Sequence, residues 1–440
     1  MKKYLVWMAA ALCLGFTACD DNEDGVKSGS YIVNESGETT ILQYDTLYLK
    51  SAVDTAGSDY LWTVNGKKVS TEASYKFAQD KVGQYTIELS FSAANGEKVN
   101  EDLIAEVTRR SYAKGTFILN EGNMTNETGV LTYIDEKGIV IDSAYIRVNG
   151  TMLGNVCQDM FITGGKMYII SQNGSKNAEE GFLTIANSET LEKIKVYNSE
   201  LSSLSWPSNI AVVGDKIYIR DNQGIKMLNA TTDELTSVAN TTGALKNRMA
   251  VVGDKVFVMT GSKKILVIQD GTVKSQISVD GTLTGIAKSY DNQLWVSYTS
   301  PSTIQKISVS DYSTIDTPHS LGSYAIGAGW GVSSAFSAVQ DTLYFSNAGM
   351  KLCRHIFKEN KTEEVANIQD YVADAKTYYN SLGVNPKTGH VYFATMKGFG
   401  ADYKINDIAV FDFKKSSPLL FDYKKKNSFP AGVYFTYNFE

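Results

Sequence analysis

The sequence predicts an all-β protein, a small sandwich followed by a long series of four-stranded units. Three observations carry this. Charged residues make up only 20% of the chain, which holds 26 Tyr and 36 Gly but 6 Pro, a balance that favours half-buried strands and tight turns. Short segments alternate apolar and polar residues at period two. A turn followed by an apolar run recurs from about residue 164 onward, the mark of a repeat architecture.

Before the first strand lies a different kind of segment. Lys2 and Lys3 precede an apolar run from Tyr4 to Phe16, too short to cross a bilayer comfortably and suited to a signal h-region. It ends in Phe16-Thr17-Ala18-Cys19, small residues before a cysteine, as lipidation and cleavage require. The expectation is a signal peptide over 1–18 with Cys19 as the acylated N-terminus. The alternative is an ordinary secretory signal with an incidental cysteine. Asp20, Asp21, Glu23 and Asp24 open a polar tether over 19–30.

Strands are expected at Thr46–Lys50, Tyr60–Val64, Tyr75–Phe77, Gln84–Phe91 and Asp102–Val107, with Asn65-Gly66 as a hairpin turn. They read as the half-buried strands of a β-sandwich over 31–110.

The repeats fill 114–440. Gly164–Ile170, Gly214–Arg220, Gly253–Met259, Asp291–Ser297, Gln340–Ser346 and Thr388–Ala394 each join a turn to an apolar run. Each follows a short apolar strand, such as Asn209–Val213, and precedes two more, such as Gly224–Leu228 and Glu234–Val238. Four strands in each unit of roughly 40 to 50 residues make a β-propeller blade. A further unit is split between the chain ends: Gly115–Leu119 matches a second strand, and Ser428–Phe435 lines up with Ser205–Val212, which leads into a first strand. The reading is a seven-bladed propeller closed by its C-terminal strand, with six or eight blades as the alternative.

A formal net charge of −6 argues against nucleic acid or an anionic membrane surface as partner. Of four cysteines, Cys13 leaves with the leader and Cys19 takes lipid. Cys157 and Cys353 could form a disulfide in an oxidising compartment, but the repeat register puts them in distant blades, so two free, buried thiols are expected.

The acids after Cys19 resemble the surface-export signal of bacteroidete lipoproteins; the plainer reading is a solvated tether. The run Trp62–Gly66, Tyr75–Phe77 and Val82–Ile87 resembles a PKD-type immunoglobulin-like domain, which implies a spacer over 31–110 with Trp62 and Tyr85 in its core. The repeats are similar to YncE-like propellers. The whole arrangement, with Gly115-Thr-Phe-Ile-Leu-Asn-Glu-Gly122 and Gly129-Val-Leu-Thr-Tyr-Ile-Asp135 opening the propeller, resembles DUF5074-type surface lipoproteins. That family includes cobalamin-capture proteins seated over an outer-membrane TonB-dependent transporter. The resemblance implies a non-enzymatic, lipid-anchored protein at the outer-membrane surface, delivering a bulky nutrient, a corrinoid first, to such a transporter. A glycan-binding protein, a scaffold for protein partners, and a propeller lyase or hydrolase are the alternatives.

No catalytic signature supports an enzyme. The three histidines lie apart: His319 in a loop, His355 in a strand beside Cys353, His390 in a blade turn. None has metal-ligand spacing, and no nucleophile elbow or phosphate loop occurs. No cofactor or metal is expected. A carboxylate pair assembled across blades remains the open enzymatic alternative.

A binding surface is the stronger expectation. In a propeller the loops from fourth to next first strand share a face with those between second and third strands. They bring Asn120, Glu121, Asn123, Gln172, Asn173, Trp206, Asn209, Asp221, Asn222, Arg248, Tyr298, Trp330, Tyr378, Tyr379, Asn380, Phe399, Tyr403 and Phe429 to one rim. Flat amphipathic rings give contact area at little entropic cost, and amides bind without net charge, which suits a corrinoid or a glycan. The ligand-binding candidates are Trp330, Arg248, Tyr379, Asn380, Trp206, Asn209, Asn173, Asp221, Asn222, Tyr298, Phe399 and Asn120. Trp206 and Phe429, each before a proline, also read as inter-blade packing, and Asn120, Asn173 and Asn222 as turn residues. Trp295 reads as core. The lysines at 414–415 and 424–426 read as a solvated face.

Overall fold

The structure is a computed structural model describing residues 30–52, 57–125, 127–328, 332–380, 382–400, 402 and 406–436. The leader, Cys19, Trp330 and Tyr403 lie outside the described residues. The chain divides into two compact units, Met1–Arg109 and Arg110–Glu440.

The first unit is a sandwich of a three-stranded and a five-stranded sheet. Ile32–Asn34, Leu47–Ser51 and Ser74–Phe77 form the smaller one. In the larger, Gly83–Ser92 pairs with Ser58–Val64 on one side and Lys98–Thr108 on the other. Leu47, Leu49 and Ser51 are buried while Tyr48 and Lys50 are exposed, the alternation of a strand with one wet face. Asn65 and Gly66 take φ of 48° and 73°, the left-handed pair that a two-residue hairpin needs. Trp62 is fully buried and its indole N–H donates to the Glu72 carbonyl at 2.9 Å. Tyr85 is half-buried; its ring lies edge-on to Phe77 and its hydroxyl donates to the Lys81 carbonyl.

The second unit contains, among the described residues, seven four-stranded sheets. Asn209–Val213, Lys216–Asp221, Gly224–Asn229 and Leu235–Ser237 show the pattern, each strand antiparallel to the next. Gly214 and Gly253 sit at φ of 60° in the two-residue turns joining first to second strands. Second strands such as Ile217–Ile219 are buried on both faces, because each sheet packs between two others. Fourth strands such as Thr272–Ser278 alternate exposed and covered positions.

The first strands lie side by side in sequence order, Cys157–Thr163 against Asn209–Val213 and so on to Leu382–Val384. The last of the chain, Pro430–Phe435, touches both Leu382–Val384 and Cys157–Thr163. It pairs antiparallel with Gly115–Asn120, and that strand with Val130–Asp135. All six residues of Pro430–Phe435 are buried.

Three details depart from the sequence reading or decide between its alternatives. His319 lies in strand Thr314–Ser320 rather than a loop; the strand holds Pro318, which an outermost strand tolerates because one side donates to no neighbour. A short helix, Ala144–Asn149, follows Val140–Ile141 and buries Ala144 and Tyr145. Cys157 and Cys353 are both free and buried.

Candidate binding site at one end of the channel

The first strands enclose a cavity of about 500 Å³. It runs from Asp159, Arg248, Tyr378 and Asn380, near the starts of first strands, to Lys288, Tyr290 and Gln340, near their ends. At the first end the backbone is strained. Val156, Trp206, Asn380 and Phe429 have φ of 58°, 54°, 44° and 44°, each within three residues of a first strand. For bulky side chains this region costs energy, and such strain concentrates where a site is held in shape.

On the axis, Tyr434 donates its hydroxyl to Asp159 Oδ1 at 2.8 Å and accepts from the Met160 N–H at 3.2 Å. Asp159 Oδ2 accepts from Ile210 N and Asn209 Nδ2. Arg248 Nε stands 3.4 Å from Asp159 Oδ1, and its guanidinium lies 4.4 Å from the centre of the Tyr434 ring. Burial raises the Asp159 carboxyl and raises Tyr434 well above its ordinary value, while Arg248 opposes both shifts. Arg248 therefore spans the channel as a compensated cation, its side chain 35% exposed. Gly432 leaves the space the guanidinium fills: a Cβ there would displace it.

Beside the axis lies an aromatic group. Tyr379 and Phe429 have ring centres 5.7 Å apart, Phe399 and Phe429 6.0 Å, and Tyr379 and Phe399 6.5 Å. Phe399 is 61% exposed. Under the group, Tyr379 donates its hydroxyl to Glu121 Oε2 at 2.9 Å. Glu121 is buried, and among the described residues its Oε1 has no hydrogen-bonding partner. Burial pushes its carboxyl up to about 7, against the pull of Lys246, Tyr379 and Gln158.

Lys246 and Arg220 complete the site. Arg220 donates from Nε to the Ala244 carbonyl and from Nη1 to Ser208 Oγ and Asn222 Oδ1. Lys246 is half-buried, and burial, with Arg220 nearby, lowers its ammonium against the pull of Glu121.

The expected site residues divide. Arg248, Tyr379, Asn380, Phe399 and Trp206 reach the rim or the channel mouth. Trp206 is 57% exposed, so inter-blade packing does not hold it. Asn380 also accepts from the Ser333 N–H, and Asn222 holds Arg220. The remainder serve the scaffold. Asn120 accepts from Ser428 N, tying the last strand to the first sheet. Asn173 donates to Asn155, Asn209 holds Asp159, and Asp221 accepts from Ser205, Gln223 and Gly224 N–H groups. Tyr298 is buried in a strand core. Asp159, Lys246 and Tyr434 were not among the expected residues. Lys246 lies two residues from Arg248 in the same loop, which was the available signal; Asp159 and Tyr434 lie inside strands, where burial hides a polar role.

Sheets, channel and rim together define a propeller-type protein with a separate immunoglobulin-like unit. The family model described as a domain of unknown function, DUF5074, matches residues 114–436, and the chain belongs to that family. A PKD-like domain model matches residues 48–95. No curated protein matches the chain. Among solved structures it resembles a quinoprotein alcohol dehydrogenase-like protein from Bacteroides thetaiotaomicron, at 15% identity and TM-score 0.57, covering 93% of this chain and 100% of that one. That likeness shows the fold. Virginiamycin B lyase from Staphylococcus aureus is more distant, at 13% identity and TM-score 0.44, covering 80% and 96%.

Proposed function

We propose that this chain is a lipid-anchored, non-enzymatic capture protein at the outer-membrane surface. Its propeller has seven blades, closed by the C-terminal strand. It holds a bulky ring-bearing nutrient, a corrinoid before a glycan, at the aromatic end of the channel and passes it to a TonB-dependent transporter. The observation that carries the binding role is the group Tyr379, Phe399 and Phe429 beside the channel mouth. An exposed Phe399 ring backed by the half-buried Tyr379 and Phe429, on a strained, hydrogen-bonded frame, gives a preorganised surface, so little ordering entropy is lost on binding. At the other end, turns such as Gly214-Asp215-Lys216 are charged, Lys216 pairing with Asp215 and Asp270, and the exposed ring there, Tyr290, belongs to no such group of three.

A lyase or hydrolase is the second reading, favoured by one observation: a buried carboxyl raised to about 7, a common feature of acid–base sites. Calorimetric titration with cobalamin, a second corrinoid and a glycan panel separates them. Binding without turnover is expected, and Phe399→Ala should cost about 2 kcal/mol if the ring is an anchor. Unchanged affinity in both Phe399→Ala and Tyr379→Ala, for a ligand that does bind, would place the site elsewhere. Product formation would favour the enzyme.

A further inference from the structure

The geometry points to an anionic ligand, whose carboxylate or phosphate group is received by Lys246 with Arg220 behind it. This rests on the aromatic end being the binding site and adds the chemical class of what binds there.

The loop carrying Lys246 is fixed on both sides. Leu245 N–H donates to the Met259 carbonyl at 2.9 Å, and Ala244 bridges to Thr260. Asn247 Nδ2 donates to Ser334 Oγ at 2.9 Å, on a loop of another sheet. The next residue, Arg248, is held by Asp159 and Tyr434. The lysine thus projects from a backbone that has nowhere to go.

Its ammonium, unlike the other two cations at this end, forms no ion pair or hydrogen bond among the described residues. Arg248 is compensated by Asp159, and the Arg220 guanidinium is engaged with one carbonyl, one hydroxyl and one amide. A half-buried ammonium loses hydration without gaining a partner, a cost that an incoming anion reverses. The neighbouring aromatic rings supply the apolar wall for the rest of a ring-bearing ligand.

Glu121 sets the competition. The titratable groups facing it are Lys246, Tyr379 and Cys157. Burial keeps the tyrosine and the thiol neutral, the thiol pushed up to about 12. Among the described residues, Lys246 is then the cation that a charged Glu121 attracts. When the carboxyl is protonated the ammonium is left to the ligand; when it ionises it competes for the same charge. Anion binding should weaken from pH 6 to pH 8.

The probes are trigalacturonate, its methyl ester, which keeps the rings and removes the charge, and inorganic pyrophosphate. Each is titrated calorimetrically into the full chain at pH 6 and pH 8. Trigalacturonate should bind at least tenfold more tightly than the ester, and pyrophosphate should bind detectably at pH 6. Lys246→Met should cost tenfold or more for both anions while leaving the ester unchanged, and Lys246→Arg should recover most of the loss. Glu121→Gln should flatten the pH difference. Equal binding of acid and ester, unchanged anion affinity in Lys246→Met, or no binding of either anion overturns the inference. Acid and ester binding equally, yet both weakened by Phe399→Ala, would leave the aromatic site standing and remove only its preference for anions.

Discussion

At the scale of single residues, the site is built from groups whose protonation and position are set by burial. Glu121 sits at about 7 in the folded chain against an ordinary 4.5. The folded state therefore keeps a proton that the unfolded chain has released. The associated stability is fully present below about pH 4.5 and is lost as pH rises through 7. At ~1.4 kcal/mol per unit, the loss approaches about 3 kcal/mol. Glu121→Gln, neutral throughout and still able to accept from Tyr379, should match the wild type near pH 4 and exceed it at pH 8; urea unfolding at the two pH values measures this. The His319–His355 pair shows the same physics with the opposite sign. The rings meet at 3.0 Å between Nδ1 and Nε2, and burial, with His319 alongside, pushes His355 down to about 4, so the pair stays uncharged at neutral pH.

At the scale of strands and sheets, the last strand is the element on which the propeller reading depends. Pro430–Phe435 covers one edge of the first sheet and touches first strands on either side. Deleting residues 428–440 uncovers that edge and removes six buried residues. The truncated chain should lose cooperative thermal unfolding or aggregate, as exposed edges do; an unchanged melting transition would show that the strand is dispensable. The sheets were legible because their turns repeat: Gly214-Asp215 and Gly253-Asp254 mark the same joint in successive units, and the apolar run after each can only be a covered strand. His319 lies in an outermost strand, Thr314–Ser320, whose residues are mostly exposed, so no apolar alternation sets it apart from a loop. The site was legible only as a rim. Tyr379 and Phe399 were visible as large rings in loops, yet nothing in the sequence near Tyr298 separates it from them, since burial is decided by neighbouring sheets. Asp159 and Tyr434 lie 275 positions apart, and no local pattern announces such a pair.

For the whole molecule, the proposal of surface capture makes the leader as important as the site. Cys19→Ala should move the protein from the membrane fraction to the soluble one, read by immunoblot of fractionated cells; retention in the membrane would show another means of attachment. The order of events in making the molecule follows from its last strand. Ser428 N–H meets Asn120 across 308 positions of chain, so the first sheet stays incomplete until nearly the whole polypeptide has emerged. Contacts that distant form slowly, because the chain entropy between them is surrendered before any burial rewards it. Under the proposed export across a membrane that delay is useful: the second unit keeps an unpaired edge, and its native state locks only when the final residues arrive.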